Sequence, residues 1–253
     1  MYAEQRQQRI VELARSAGRV DVAALVAEFE VTAETVRRDL TALERHGVLR
    51  RVHGGAIPVE RLGFEPGLAA RDAVMTEEKE RIAKAALAEL PTEGSVLLDA
   101  GTTTARLAEL LPGDRDLTVV TNGLPIALTL SVRPGLTLRL LGGRVRGRTL
   151  AVVDDWAQRD LREIYVDVAF VGTNGISLKR GLTTPDPAEA AVKRAMIAAA
   201  RRVVVLADHT KVGSDHFARF GNLEDVDLLV TDSGLGAAQV ARLETAGLEV
   251  VRA

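Results

Sequence analysis

Five clusters of small, hydroxylated and charged residues recur along the last two thirds of the chain. They are Asp99-Ala100-Gly101-Thr102-Thr103-Thr104, Thr121-Asn122-Gly123, Gly142-Gly143-Arg144, Gly172-Thr173-Asn174-Gly175 and Asp208-His209-Thr210-Lys211. The first could hold an anion. Backbone N–H groups at a helix start, the helix dipole and threonine hydroxyls all present positive ends to a phosphate. An ordinary strand-to-helix turn capped by threonine would carry the same residues. Glu189 and Lys193 fall one helical turn apart, which suits a plain ion pair. A place facing a pocket suits Glu189 as well, and we adopt that reading. A different chemistry is concentrated near the N-terminus. Between Arg37 and Arg51 five arginines stand against Asp39 and Glu44, in a chain whose formal net charge is only -2. Such a stripe is the footprint of a nucleic-acid contact, or else a solvated helix face.

The elements that must position the arginines are short. Ile10, Leu13, Ala14 and Ala17 repeat at helical spacing up to Gly18. Val22, Leu25, Val26 and Phe29 do so next, then Val36, Leu40 and Leu43 up to Gly47. Each segment is too short to be stable alone, so the three must pack together. Asp21 and Thr32 are the expected N-caps of the second and third helices. Only Glu30 and Val31 separate those two, which is a helix-turn-helix connection. With Val36 inward, Glu34, Arg38, Thr41 and Arg45 point away from the core, flanked by Thr35 and Arg37. That face suits the major groove, where arginine reads guanine bidentately, with Thr32 at its start. Asp39 falls at the edge of the core stripe and is read as structural, pairing with an arginine of a neighbouring helix. The run from Val48 to Pro58 predicts two short strands around Gly54-Gly55, a wing that lays Arg50, Arg51 and His53 along the DNA backbone. His53 also suits a plain turn position.

Beyond Val59 the pattern lapses, with Pro66 between Gly63 and Gly67, and residues 59–75 read as a linker. A helical pattern runs from Glu77 to Leu90. Short Val/Leu runs then alternate with helices: Val96–Asp99, Leu117–Thr121, Leu136–Leu141, Val166–Val171, Val203–Ala207, Leu228–Val230 and Glu249–Val251 as strands. This alternation predicts a parallel α/β sheet, whose ligands bind at the carboxyl ends of the strands. The five polar clusters fall at those ends. The expectation is therefore an α+β winged helix-turn-helix domain over 1–58, followed by an α/β domain with a mainly parallel sheet over 76–253.

Thr32-Ala33-Glu34-Thr35-Val36-Arg37-Arg38-Asp39-Leu40, followed by Val52-His53-Gly54-Gly55-Ala56, resembles the DeoR family of transcriptional regulators. The later stretches Asp99–Thr104, Thr121-Asn122, Leu141–Gly143, Asp167–Gly172, Gly181–Thr184 and Ala207–Lys211 resemble its sensor domain, which is similar to ribose-5-phosphate isomerase and related sugar-phosphate enzymes. The resemblance implies a repressor that binds double-stranded operator DNA and is released by a small phosphorylated sugar. It implies a phosphate at Gly101, Thr102, Thr103 and Thr104, with sugar hydroxyls near Asp99, Asn122, Asn174, Asp208 and Lys211. Gly143, Arg144 and Glu189 complete the candidate effector site.

The alternative is an active sugar-phosphate isomerase fused to a DNA-binding domain. Isomerisation needs a positioned acid and base. The isomerases carry an Asp-Gly-Ala-Asp run where this chain has Gly172-Thr173-Asn174-Gly175, and asparagine cannot shuttle a proton. The reading is accordingly not an enzyme. No Gly-x-x-x-x-Gly-Lys run or dinucleotide fingerprint occurs, and His209 and His216 have no metal-ligand spacing, so neither cofactor nor metal is expected. The chain has no cysteine, which suits a reducing cytoplasm. No apolar run approaches the roughly 20 residues that span a bilayer, and the charged start is not read as a signal peptide. A palindromic operator calls for a homo-oligomer, at least a dimer.

Overall fold

The computed structural model describes residues 3–45, 47–58 and 65–253. The chain divides into two compact units, Met1–Val74 and Met75–Ala253. In the first, α1 (Ala3–Ala17), β1 (Val20–Asp21), α2 (Val22–Phe29), α3 (Ala33–Arg45), β2 (Leu49–Val52) and β3 (Gly55–Pro58) precede a short α4 (Leu68–Asp72). Ile10, Ala14, Leu25, Phe29, Val36, Leu40, Leu43 and Leu49 form its core. Ala17, at the end of the first apolar stripe, is exposed. The expected N-cap Asp21 makes no capping bond; Arg19 holds its carboxylate instead, at 2.7 Å. Thr32 does accept from the Thr35 N–H, at 3.2 Å, and Glu30 closes α2 in the left-handed conformation.

The wing is a three-stranded sheet of order β1-β3-β2, where the sequence pattern reveals only the hairpin. β1 is two residues long, too short for any periodicity. It also explains one glycine of the wing: a Cβ on Gly55 would lie 2.0 Å from the Val20 carbonyl oxygen. The α4 helix falls inside the span read as linker, and residues 59–64 of that span lie outside the described residues.

The second unit opens with α5 (Thr76–Ala86). There follow β4 (Gly94–Leu98), α6 (Thr102–Leu110), β5 (Leu117–Thr121), α7 (Leu124–Ser131) and β6 (Leu136–Leu140). A hairpin of β7 (Arg144–Val145) and β8 (Val152–Val153) leads to α8 (Asp155–Arg162) and β9 (Val166–Gly172). Then come β10 (Gly175–Ser177), β11 (Gly181–Thr184), α9 (Pro187–Ala198), β12 (Ala200–Leu206), β13 (Ala218–Gly221), β14 (Leu228–Thr231), α10 (Ala237–Thr245) and β15 (Glu249–Arg252). Seven strands form one sheet of order β15-β14-β12-β9-β4-β5-β6. All its neighbours are parallel.

The inner strands β4, β9, β12 and β14 are buried over most of their length and read as continuous apolar runs, whereas the edge strand β6 alternates. Val96, Leu98, Val168, Phe170, Val204 and Leu206 pack toward α5, α6 and α7. Their neighbours Leu97, Ala169, Val171 and Val205 pack toward α8, α9 and α10. The chain leaves β4 toward β6 on one side and returns through β9 on the other. The strand order therefore reverses between β4 and β9, where an α/β sheet opens a crevice at its carboxyl end.

Three features have no counterpart in the sequence pattern: α8, the β7–β8 hairpin and a small antiparallel sheet of order β10-β11-β13. Their strands are two to four residues long, below the length at which alternation can be counted.

Candidate effector site and nucleic-acid interface

The crevice between β4 and β9 is filled by charge. Asp99 ends β4 and is 2% exposed; it accepts from the Gly172 N–H at the end of β9, at 3.0 Å. Lys193, from the middle of α9, pairs with Asp99 and donates to the Gly172 carbonyl at 2.8 Å. Its ammonium also lies 5.4 Å from the Phe220 ring centroid, a cation–π contact. So Lys193 reaches across the sheet to Asp99, and Glu189, one turn away, does not pair with it. Glu189 instead accepts from Arg146 and from the Thr149 hydroxyl, each at 2.5 Å. Arg146 also meets Asp186 at 3.1 Å, the residue that caps α9 by accepting from the Ala188 and Glu189 N–H groups.

One strand further, Asp208 follows β12 and is 1% exposed. It accepts from the Thr210 N–H at 3.1 Å and pairs with Lys211 at 3.4 Å. Burial works against its charge, but Lys211, the Thr210 hydroxyl and buried Lys79 of α5 together hold its carboxyl below the usual carboxylate range. His209 Nδ1 lies 2.8 Å from Asp232, whose carboxylate also accepts from the N–H groups of His209 and Gly234. The ring packs so close that a Cβ on Gly234 would come within 2.4 Å of it.

The first cluster divides in two. The Thr104 hydroxyl donates to the Asp99 carbonyl and accepts from the Gly101 N–H at 2.9 Å. With no exposure, it shapes the turn and has nothing left for a ligand. Thr102 and Thr103 open α6, and among the described residues their hydroxyls make no hydrogen bond. Asn122 is likewise structural: its amide accepts from the Ala100 N–H at 2.8 Å and donates to the Val152 carbonyl at 3.1 Å. Asn174 accepts from the Thr184 hydroxyl at 2.9 Å, in the small antiparallel sheet. Gly143 and Arg144 are exposed at the start of the β7–β8 hairpin, where the Asp154 carboxylate, at 2.7 Å, holds the Arg144 guanidinium protonated above its ordinary range. Lys193, Arg146 and Lys79 are thus charged residues that the sequence does not assign to the site; of these only Lys193 carries a signal, its spacing from Glu189, while His209 lies within the fifth polar cluster.

On the first unit, Glu34, Arg37, Arg38 and Arg45 are exposed along α3, and Arg50, Arg51 and His53 along the wing. Arg37 leans toward Glu34 at 4.0 Å. Thr41 donates to the Arg37 carbonyl at 2.8 Å and meets Arg51 at 3.2 Å, linking helix to wing. Thr32 and Thr35 share a hydroxyl contact of 2.9 Å at the helix start. Asp39 is buried against Arg6 of α1 at 2.6 Å and accepts from Gln7 at 2.9 Å, the structural pairing expected of it. Arg19, unremarked in the sequence, donates to the His53 carbonyl at 3.2 Å.

A winged helix-turn-helix ahead of a parallel α/β unit with a polar switch-point crevice defines a DNA-binding regulator that carries its own sensor domain. Residues 6–61 match the DeoR-like helix-turn-helix domain and residues 74–233 the DeoR C terminal sensor domain. The chain belongs to the DeoR family of transcriptional regulators. It is 37% identical over 251 residues to the HTH-type transcriptional regulator GlpR of Haloferax volcanii, covering 99% of this chain and 98% of that one. It is 33% identical over 233 residues to the glycerol-3-phosphate regulon repressor of Escherichia coli K12, covering 92% of each. Among solved structures, ribose 5-phosphate isomerase A of Methanocaldococcus jannaschii matches 55% of each chain at 17% identity and a TM-score of 0.40, a likeness that says nothing about the site. Among the described residues, no helix is long and apolar enough to cross a membrane.

Proposed function

We propose that this chain represses a sugar or polyol catabolic operon from the cytoplasm, as a dimer or larger homo-oligomer, and leaves its operator when a phosphorylated sugar intermediate binds. The observation that carries the reading is the placing of two aspartate–lysine pairs at the carboxyl end of one sheet: Asp99–Lys193 after β4, beside the N-terminus of α6, and Asp208–Lys211 after β12, with β9 between them. Carboxylates accept from sugar hydroxyls and ammonium groups donate to them. Gly101, Thr102 and Thr103 offer a phosphate the helix dipole and two uncommitted hydroxyls. The regulon named for the Escherichia coli relative supports the substrate class.

Lys79 gives the site a way to be felt elsewhere. It belongs to α5, the first helix after the linker, and its charge acts on Asp208. A ligand that draws on Asp208 and Lys211 alters what α5 is held by. Moving the protein from mostly bound to mostly free requires about 3–5 kcal/mol of differential effector affinity. Melting the full chain against a panel of sugar and polyol phosphates, glycerol 3-phosphate included, tests the site. Anisotropy with an operator duplex selected from random sequence tests release. By reciprocity, operator must weaken effector binding by the same factor. A panel in which nothing raises the melting temperature would overturn the reading, and tighter effector binding on DNA would make the chain a co-repressor-dependent protein.

A further inference from the structure

The outer edge of β6 has no strand beside it in the seven-stranded sheet. The Leu141 N–H donates to the Thr121 carbonyl at 2.9 Å, and β6 runs in parallel register with β5. Backbone groups of a strand alternate sides, so Thr137 and Arg139 turn their N–H and C=O groups toward β5. Leu136, Leu138 and Leu140 turn theirs outward. Six outward polar groups on an open strand are a template for another strand. Apolar surface adjoins them. Leu128 on α7 and Val132 at its C-cap, 72% and 82% exposed, are the most exposed large apolar side chains among the described residues, and Leu140 is 45% exposed. The opposite edge is protected in the usual way, since β15 begins with Glu249 and ends with Arg252.

We propose that two copies of this chain join at this edge, β6 against β6 about a two-fold axis through Leu138, making one continuous sheet with the two α7 helices side by side. A two-fold normal to the sheet makes the paired strands antiparallel and keeps each side chain on its own face. Centred on Leu138, it sets Leu138 opposite itself and Leu136 opposite the second copy's Leu140, so all six outward groups find partners. Leucine then meets leucine, and Arg139 lies opposite threonine. Moving the axis to Arg139 would set arginine against arginine and place Leu136 opposite the second copy's Gly142, beyond the end of the strand, so its two outward groups would find no strand partner. The segment Leu136-Thr137-Leu138-Arg139-Leu140 thus reads alike in both directions for its outward residues, which a second copy requires and an unrelated strand does not. Leu136 and Leu138 pack on the core face that also carries α7, so the symmetry brings Leu128 and Val132 against their equivalents. The inference rests on the proposed operator reading only for its consequence, paired half-sites; the measurement below uses no DNA.

Light scattering on the full chain in solution should give the mass of a dimer or a multiple of it. The double variant Leu128→Glu/Val132→Glu should halve that mass with little change in melting temperature, both side chains being exposed. Leu138→Pro should do the same, because it removes an outward N–H and leaves the pairing with β5 intact, as edge strands allow. The chain has no cysteine, so Val132→Cys treated with a short bismaleimide should yield a cross-linked dimer, and Trp156→Cys, exposed on α8, should not. A monomeric wild type, a double variant of unchanged mass, or cross-linking through Trp156→Cys in place of Val132→Cys would each overturn the proposal.

Discussion

The two units hold their charges in opposite ways. Along α3 and the wing, Arg38, Arg45 and Arg50 are exposed and form no ion pair among the described residues. In the sensor unit Asp99, Glu189, Lys193 and Asp208 are buried, and each has a partner of opposite sign. A DNA duplex brings its own dense counter-charge, so its reader keeps cations hydrated and free. A small ligand brings little, and a buried charge left unpaired is costly. The sensor unit accordingly holds its buried charges as pairs, and under the proposed function an effector would have to enter or exchange them. Operator binding should then depend on salt and hardly on folding stability, and the sensor charges should do the reverse.

The largest test of that contrast is Lys193→Met, which strands Asp99 in the crevice. It should destabilise the second unit by about 3–5 kcal/mol in urea melts, and a loss near zero would remove the distinction. Next in size is Arg38→Ala, which should melt like wild type and weaken operator binding by about 1–3 kcal/mol in anisotropy titrations. If it binds normally, the outward face of α3 is misassigned. Arg50→Ala should weaken all sequences alike and lower the slope of log affinity against log salt by about 0.9.

Thr103→Val keeps shape and removes one hydroxyl at the start of α6. It should fold and bind operator, and lose about 1 kcal/mol of effector affinity by calorimetry. The smallest effect concerns pH. Hydrogen bonds from the Ser95 N–H and hydroxyl, both 2.8 Å away, lower the Asp167 carboxyl below its ordinary range against a slight burial penalty. Its folded pKa lies below the unfolded value, so the stability it adds is present above about pH 4 and is lost as the pH falls through the folded pKa. The melting-temperature gap between wild type and Asp167→Asn should therefore narrow on acidification. A gap that widened would reverse the sign.

How much of this was legible varied with range. The helix-turn-helix was readable because its signals are local: three apolar stripes, a two-residue connection and the Gly54-Gly55 turn. Asp39 could be set aside from the DNA face on helical phase alone, though its partner Arg6 lies 33 positions away. The order of strands and helices in the sensor was also readable, since Val- and Leu-rich strands of four to seven residues alternate regularly with helices. The β7–β8 hairpin and the β10-β11-β13 sheet were not, being too short. The threonines show the limit most clearly. Thr102, Thr103 and Thr104 are indistinguishable as residue types, and only the fold turns Thr104 back onto the Asp99 carbonyl.

The sequence by itself determined the two units, their kinds of secondary structure, the outward, arginine-bearing side of α3 and the placing of polar clusters at strand ends, because each follows from periodicity or from composition within a few residues. Tertiary structure alone decided which charges meet. Lys193 reaches Asp99 rather than Glu189, Arg146 comes from a hairpin to take Glu189, and Lys79 approaches Asp208 from a helix that precedes the whole sheet. Charge pairing is settled by distance in space across a shared desolvated crevice. The reversal of strand order between β4 and β9, which builds that crevice, depends on how all seven strands are arranged together.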